Sequence, residues 1–321
     1  MPVAATLTPE NIRRFRKRLL GWFAAEQRKL PWRGERDPYR ILVSEIMLQQ
    51  TRVAVVEERY RRFIRQFPTA SHLARAREQT VLAAWSGLGY YRRARALHAA
   101  AKTVVREKQF PRTAAELQEL PGVGRYTAAA VASIAYGEPV PVVDGNVQRV
   151  LDRLTGRPLK DEDYWQLAGA LLDARHSGDF NQAMMELGAL ICLPGKPLCE
   201  TCPVADLCAL RGAGSRRKQT KRRKAELRYA LALQAGKVFL RQRPGHHSLM
   251  PGMWELPECE AGPRGRKPLL KIRHAITTTD YTVLVFPAGS VSGEGRWVPL
   301  RSVKKLALTG LARKILRHEW P

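Results

Sequence analysis

The sequence predicts a multidomain protein in which an all-α domain is followed by an α+β domain. Three observations carry this. From Pro9 to about Ala209 apolar residues recur at helical spacing, broken at Pro31, Pro68, Pro111, Pro121, Pro139 and Pro158, with no long alternating stretch. Farther on, RYALALQAGKVFLRQR, HAITTTDYTVLVFPAG and RWVPL alternate and are rich in β-branched residues and glycine turns, as strands are. Between the two, segment 216–224, RRKQTKRRK, has seven basic residues in nine and nothing apolar, so it cannot join a core. The expected limits are a helical domain over 1–213, a basic linker over 214–228 and a second domain over 229–321.

Composition narrows the function classes. The chain has 321 residues, 45% of them hydrophobic, enough for a real core and for about two domains at the usual ~150 residues each. Its 55 Lys+Arg against 29 Asp+Glu give a formal charge of +26, which points to a polyanion, most commonly nucleic acid. The excess is uneven: residues 1–210 carry 31 basic and 22 acidic side chains, residues 211–321 carry 24 and 7. No stretch approaches the ~18 to 20 apolar residues of a membrane span, so no membrane partner is expected and the location expected is cytoplasmic, with the nucleoid if the source is bacterial. The first thirty residues contain Glu10 and Glu26 and no apolar signal core, and read as a folded amphipathic helix rather than a transit peptide.

Several segments carry chemistry. Segment 39–50, YRILVSEIMLQQ, is an apolar helical run in which Glu45 is the only acid; burial there disfavours the charged carboxylate and raises its pKa, which suits a general acid or, equally, a buried ion pair. Thr113-Ala-Ala-Glu116 is a capping box that opens a short helix through Leu120. Pro121-Gly122-Val123-Gly124 then makes a tight turn, and a second helix over 125–136 ends at Gly137. The amides of such a turn, at Gly122 and Gly124, can hold a phosphate oxygen without reading a base. Asp144 follows a strand-like Val140–Val143 and precedes Gly145-Asn146 at the start of NVQRVLDRL, the position of a helix cap.

Four of the five cysteines, Cys192, Cys199, Cys202 and Cys208, lie in one loop interrupted by Pro194, Gly195, Pro197 and Pro203, while Cys259 stands alone. That is no secreted disulfide pattern; it suits a reducing cytosol and a metal centre. Without a histidine among them, the candidates are an all-cysteine zinc site and an iron–sulfur cluster. Only Cys199 and Cys202 make a C-x2-C knuckle, so the compact spacing favours a four-iron cluster.

The motifs LPGVGRYTA (120–128), VVDGNV (142–147), SEIMLQQT (44–51) and the cysteine spacing together resemble the helix-hairpin-helix DNA glycosylases of the endonuclease III superfamily. LPWR (30–33), LGYYRRA (88–94) and MELGA (185–189) narrow the resemblance, over residues 10–210, to MutY-type adenine DNA glycosylases. The resemblance implies a six-helix barrel module plus a 4Fe–4S cluster module, a Nudix-like lesion-recognition domain at the C-terminus, and a monomer acting on double-stranded DNA containing adenine mispaired with 8-oxoguanine or guanine. It implies that Glu45 protonates adenine at N7 and that Asp144 stabilises the positive sugar. Trp32, Arg33 and Glu186 match residues lining the adenine pocket. Gln50 and Tyr90 match residues that enter the helix beside the lesion pair, and Leu88 and Asn146 fall within the same DNA-binding motifs. Tyr126 stands where strand-cutting relatives carry a Schiff-base lysine, which implies a monofunctional enzyme with Tyr126 contacting the sugar.

Two departures accompany the resemblance. Gly252, Glu258 and Arg266 fit the opening of a Nudix box, but Lys267-Pro268-Leu269-Leu270 follow with no glutamate pair, so metal-dependent pyrophosphate hydrolysis is not expected. The Phe-Ser-His loop with which the family reads 8-oxoguanine is replaced by Ile276-Thr277-Thr278 after His274-Ala275. The rival readings are a bifunctional glycosylase/lyase for oxidised pyrimidines, opposed by Tyr126, and a non-catalytic DNA-binding module, opposed by Glu45 and Asp144.

Overall fold

The computed structural model describes residues 8–212, 222–247, 250–259, 267–276, 278–289, 291 and 293–318. Contacts divide the chain into two compact units, Met1–Ala74 with Ala99–Lys218 and Arg75–His98 with Gln219–Pro321.

The first unit is helical. Helix α1 (Pro9–Glu26) starts where Thr8 Oγ1 accepts the Asn11 amide at 3.2 Å and Pro9, with no N–H, needs no acceptor. Its Phe15, Leu19 and Phe23, four apart, form a buried stripe, so the expected N-terminal helix is present. Helices α2 (Pro38–Leu48), α3 (Val53–Gln66) and α4 (Ala70–Arg75) follow, then α5 (Glu78–Ala84) and α6 (Arg92–Arg106), the latter running from the second unit into the first. Next come α7 (Ala114–Gln118), α8 (Arg125–Tyr136), α9 (Gly145–Thr155), α10 (Asp161–Leu171) and α11 (Ser177–Leu190). Helix α2 packs on α8 and α3, while α1 and α9 pack on α11. One core holds Phe15, Leu19 and Phe23 against Val147, Leu151, Leu171, Phe180 and Leu187, with Cys192 and Cys202 at its edge.

The hairpin α7–α8 follows the expected signals. Thr113 Oγ1 accepts the Glu116 amide at 3.2 Å, Glu116 returns an oxygen to the Thr113 amide at 3.1 Å, and Gly122 and Gly137 both take φ of +74°. Residues 140–143 form no strand; the Val142 amide donates instead to Asn181 Oδ1 at 3.1 Å.

The second unit joins residues 75–98 to the C-terminal strands, so the expected boundary at residue 213 misses a segment. Strands β1 (Arg223–Leu231), β5 (Leu270–Ile276) and β6 (Thr279–Pro287) form a sheet of order β1-β6-β5, with β1 parallel and β5 antiparallel to β6. Strands β2 (Leu233–Gln234), β3 (Lys237–Gln242), β4 (Trp254–Glu255) and β7 (Arg296–Pro299) form a second, antiparallel sheet around β3. Helix α12 (Gly310–Ile315) buries Leu311, Ala312 and Ile315 in the core with Val238, Leu240, Val283 and Val285. Residues 223–228 of the expected linker are thus strand: their side chains are largely exposed, which an edge strand tolerates, while their backbone is paired along β6. Residues 214–221 lie outside the described ones. The segment 75–98 is tied in by Tyr91 Oη donating to Leu308 O at 3.2 Å, Arg95 Nη2 to Pro251 O at 2.6 Å and Gln79 Nε2 to Gly252 O at 3.2 Å. No helix among the described residues is long and apolar enough to cross a membrane.

At Gly178 helix α11 passes against the end of α8, and a Cβ there would lie 2.7 Å from Ser133 O and 2.9 Å from Ile134 Cα. Gly178→Ala is therefore expected to lose about 1–3 kcal/mol by overpacking, despite alanine's better helix propensity. Urea unfolding measures this, and an unchanged or higher midpoint would contradict the close approach.

Candidate active site

A cavity of about 240 Å3 opens in the first unit where α2, α8, α9 and α11 converge, lined by Trp32, Arg33, Glu45, Tyr126, Asp144, Asn146, Met185 and Glu186 among others. It is smaller than the roughly 300–1,000 Å3 of sites for drug-sized ligands, a scale that suits one small ring system.

Glu45 lies on the inner face of α2 and is 5% exposed. Among the described residues it takes one hydrogen bond, from Tyr126 Oη on the first turn of α8 at 2.7 Å. Burial pushes the Glu45 carboxyl above its ordinary value; the Tyr126 hydrogen bond and the Arg33 charge oppose this, and Asp144 adds to it. The Tyr126 phenol also touches Met185 Sδ at 3.3 Å, and burial with two nearby carboxylates keeps its proton on.

Asp144 caps helix α9, the expected cap position, and lines the cavity as well. Its Oδ1 accepts the amides of Asn146 at 2.9 Å and Val147 at 2.7 Å, and its Oδ2 accepts Asn146 Nδ2 at 3.0 Å. Burial raises this carboxyl too, but three donors and the nearby Arg149 charge oppose the rise. Of the two acids, Glu45 with one donor is the one suited to keep a proton, and Asp144 with three is the one suited to remain an anion.

The far wall is a charged clasp. Glu186, 1% exposed, accepts from the Arg28 amide at 3.0 Å, from Arg28 Nε at 2.8 Å and Nη2 at 2.7 Å, and from Arg33 Nη2 at 2.7 Å. Burial would raise the Glu186 carboxyl, but the Arg28 hydrogen bonds and both guanidinium charges outweigh it and hold it low. Arg33 also donates to Gln182 Oε1 and lies over the Phe23 ring, and Trp32 packs edge-on to Tyr60 with ring centroids 5.4 Å apart. Arg28 and Gln182 had no part in the sequence expectation, and Met185 entered it only as part of MELGA. The basic RKLPWR run was visible, but which arginine meets Glu186 depends on how α11 packs.

From Asp144 a further chain of contacts runs to the cysteine loop. Arg149 Nη2 donates to Asn146 Oδ1 at 2.9 Å and to Gly188 O at 2.7 Å, and its Nε donates to Cys192 O at 2.7 Å. Arg153, itself buried, donates to Cys192 Sγ at 3.1 Å and Leu193 O at 2.9 Å, and its own carbonyl accepts from Cys208 Sγ at 3.3 Å. Arg14 and Arg18 of α1 pair with Asp206 inside the loop. Cys202 interacts electrostatically with the other three thiols, and burial raises it to about 11 without a bound group. Among the described residues no His, Cys, Asp or Glu trio is grouped to share a single ion. Four cysteines with no histidine among them are the all-thiolate donor set that a four-iron cluster uses. The donor set therefore fits the cluster.

The remaining expected residues are dispersed. Gln50 is exposed just past the end of α2 with φ of +54°, and Gly122 and Gly124 form the hairpin turn. In the second unit Tyr90 is exposed with φ of +47°, whereas Leu88 is 4% exposed and so does not project. Leu88, Tyr90, His247, His274 and Ile276 line a separate cavity of about 840 Å3 within that unit. Thr278 is exposed at the β5–β6 turn, and Thr277 and Arg266 lie outside the described residues. Glu258 bridges to Tyr229, and Arg243 pairs with Glu255.

The model of the HhH-GPD superfamily base excision DNA repair proteins matches residues 43–167, and that of the iron-sulfur binding domain of endonuclease III matches residues 192–208. The human adenine DNA glycosylase is 48% identical over 214 residues, covering 61% of this chain and 39% of that protein. The adenine DNA glycosylase of Mycobacterium tuberculosis (strain CDC 1551 / Oshkosh) is 43% identical over 205 residues, 61% of this chain and 67% of its own. The chain thus spans about two-fifths of its human relative. A thermostable thymine-DNA glycosylase superposes with a TM-score of 0.59 at 31% identity, covering 63% of this chain and 97% of that one. A trapped endonuclease III–DNA covalent intermediate gives a TM-score of 0.56 at 25% identity, covering 64% and 97%.

Two outcomes follow from this geometry. Because Glu45 titrates higher when folded than when unfolded, its burial costs stability as pH rises through that raised value. Glu45→Gln is therefore expected to melt higher than the parent at pH 8, with the advantage vanishing at pH 4, and a pH-independent difference would contradict a buried, uncompensated carboxyl. In Gly188→Ala the new Cβ would lie 2.6 Å from Asn146 Cβ. Single-turnover rates should fall at least tenfold as Asn146 is pushed off Asp144, and an unchanged rate would show that this contact is dispensable.

Proposed function

Because the chain belongs to the HhH-GPD superfamily of base excision DNA repair proteins, we propose that it is an adenine DNA glycosylase that removes adenine mispaired with 8-oxoguanine or guanine and leaves an abasic site in an uncut strand. The observation that carries this reading is the placement of a raised carboxyl, Glu45, a capped carboxylate, Asp144, and a phenol, Tyr126, around one small cavity. Adenine glycosylases among the relatives supply the base.

The target nucleotide must leave the stack to reach such a cavity. With the base against Trp32 and the Arg28–Glu186–Arg33 clasp, protonated Glu45 gives its proton to adenine N7. The C1′–N9 bond breaks with its electron pair going to the base. Ionised Asp144 offsets the positive sugar, and water adds to C1′ while its proton passes to the Glu45 carboxylate. This is the division between a protonated and an ionised carboxyl that glycoside hydrolysis uses. Tyr126 presents a phenol and no amine, so no Schiff base forms and the strand stays intact. Cys192, Cys199, Cys202 and Cys208 would hold the 4Fe–4S cluster, which would supply iron–sulfur bonds that tie the loop together.

The second unit, in this reading, is a Nudix-like lesion-recognition domain without hydrolase activity. Its cavity beside Tyr90 and Ile276 supports a role in reading the partner base, with Thr277 and Thr278 as hydroxyl donors. The partner is double-stranded DNA, engaged through the hairpin amides at Gly122 and Gly124 and the exposed Gln50 and Tyr90, and the protein acts as a monomer in the cytoplasm.

Single-turnover excision on duplexes with adenine opposite 8-oxoguanine, guanine or thymine, and on thymine glycol, tests this with and without alkali. Alkali-dependent cleavage at mispaired adenine is expected, with Glu45→Gln and Asp144→Asn each reducing it more than a thousandfold while DNA binding persists. Cleavage of thymine glycol without alkali, and none at adenine, would favour the lyase reading instead.

A further inference from the structure

The segment between α5 and α6 holds an unusual backbone. Gly87 and Gly89 take φ of +91° and +68°, and Tyr90 takes +47°. Glycine adopts such values freely, but a tyrosine does so under strain and needs its surroundings to hold it there. The ring so presented is 48% exposed, in a chain of charge +26.

Two side chains, Arg93 and Trp85, restrain the loop. Arg93, the second residue of α6, points its Nη2 back into the loop, donating to Leu88 O at 3.0 Å and Gly89 O at 3.3 Å. Its guanidinium carbon lies 5.3 Å from the centroid of the Tyr90 ring and 5.6 Å from that of Trp85. Trp85 is fully buried, and its indole Nε1 donates to the same Gly89 O at 3.1 Å. A rigid core residue, a planar cation and the outward ring therefore form one stack, with both loop carbonyls drawn toward its centre. Burial lowers the Arg93 pKa to about 10, which leaves it charged at neutral pH. A planar guanidinium can take two carbonyls while lying along two rings; a lysine keeps the charge and loses the planar group between the rings.

We propose that Arg93 is a positioning residue for DNA recognition, locking the Gly87–Tyr90 loop so that the Tyr90 ring stands ready to enter the duplex at a mispair. This rests on the reading of the chain as a mispair glycosylase. An aromatic that stacks on bases binds best when its orientation is set beforehand, because ordering a free loop on binding subtracts from affinity. The stack on Trp85 supplies that order in the free protein.

The test is a double-mutant cycle on the full chain, using a duplex whose mispaired adenine nucleotide is non-hydrolysable and flanked by 2-aminopurine. Binding is read by anisotropy, and entry of the ring by the fluorescence rise of the unstacked neighbour. Arg93→Lys and Tyr90→Ala are each expected to weaken binding about tenfold and abolish the rise, and the double variant to bind no worse than Tyr90→Ala alone. Gly89→Ala provides an independent arm: its Cβ meets nothing within 4 Å, so only the φ of +68° is disturbed. It should show the same loss, and it replaces Arg93→Lys in the cycle if that variant does not fold. Losses that multiply in the double variant, or wild-type binding by Arg93→Lys and Gly89→Ala, would overturn the role of Arg93 while leaving the glycosylase reading intact. Full affinity and a full fluorescence rise in Tyr90→Ala would remove the ring from DNA recognition and the proposal with it.

Discussion

The capping of α9 by Asp144 is the contact on which the small cavity of the first unit depends. A helix must satisfy its first amides somewhere, and here the carboxylate that does so is also the one facing the cavity. Capping thus sets the orientation of both oxygens before any substrate arrives. The same helix is gripped farther along by Arg149 and Arg153, whose guanidinium groups reach the carbonyls and sulfur of the cysteine loop. The amides of Ala209 and Leu210 return to Leu154 O and Arg153 O at the other end of that loop. One eleven-residue helix therefore carries the anion at its start and both ends of the cluster loop near its finish.

The opposite wall uses charge differently. Glu186 is as buried as Glu45, yet two arginines surround it, so it is held as an anion and serves as structure. Among the described residues Glu45 has a neutral phenol as its hydrogen-bond donor, so burial dominates and its pKa is raised. Around one small cavity the number and charge of the donors, rather than depth alone, thus push buried carboxyl groups in opposite directions.

Much of this was legible in the sequence for identifiable reasons. The capping box at Thr113, the Gly137 stop, the apolar run around Glu45 and the cysteine spacing are local signals, and each matches the structure in place. Asp144 was readable as a cap, and the geometry bears out that cap and sets the same carboxylate on the cavity wall. What escaped was non-local. Arg28, Gln182 and Arg149 acquire meaning only when α11 packs on α1 and α9, and no periodicity encodes which arginine will face which acid. The grouping of residues 75–98 with distant strands was invisible for the same reason, because its helices have ordinary helical patterns. The strand at 223–228 was hidden by charge: an edge strand needs backbone partners more than apolar side chains.

That grouping makes both units discontinuous in sequence. Every acid around the small cavity comes from segments before residue 213, so a chain ended there keeps all three. The larger cavity is different, because Leu88 and Tyr90 form one side of it and His247, His274 and Ile276 the other. Such a shortened chain would retain half a mould. It would also strip Tyr91, Arg95 and Gln79 of the carbonyls of Leu308, Pro251 and Gly252. The small cavity is thus complete without the C-terminal strands, while the larger one is a seam stitched from two distant stretches of chain.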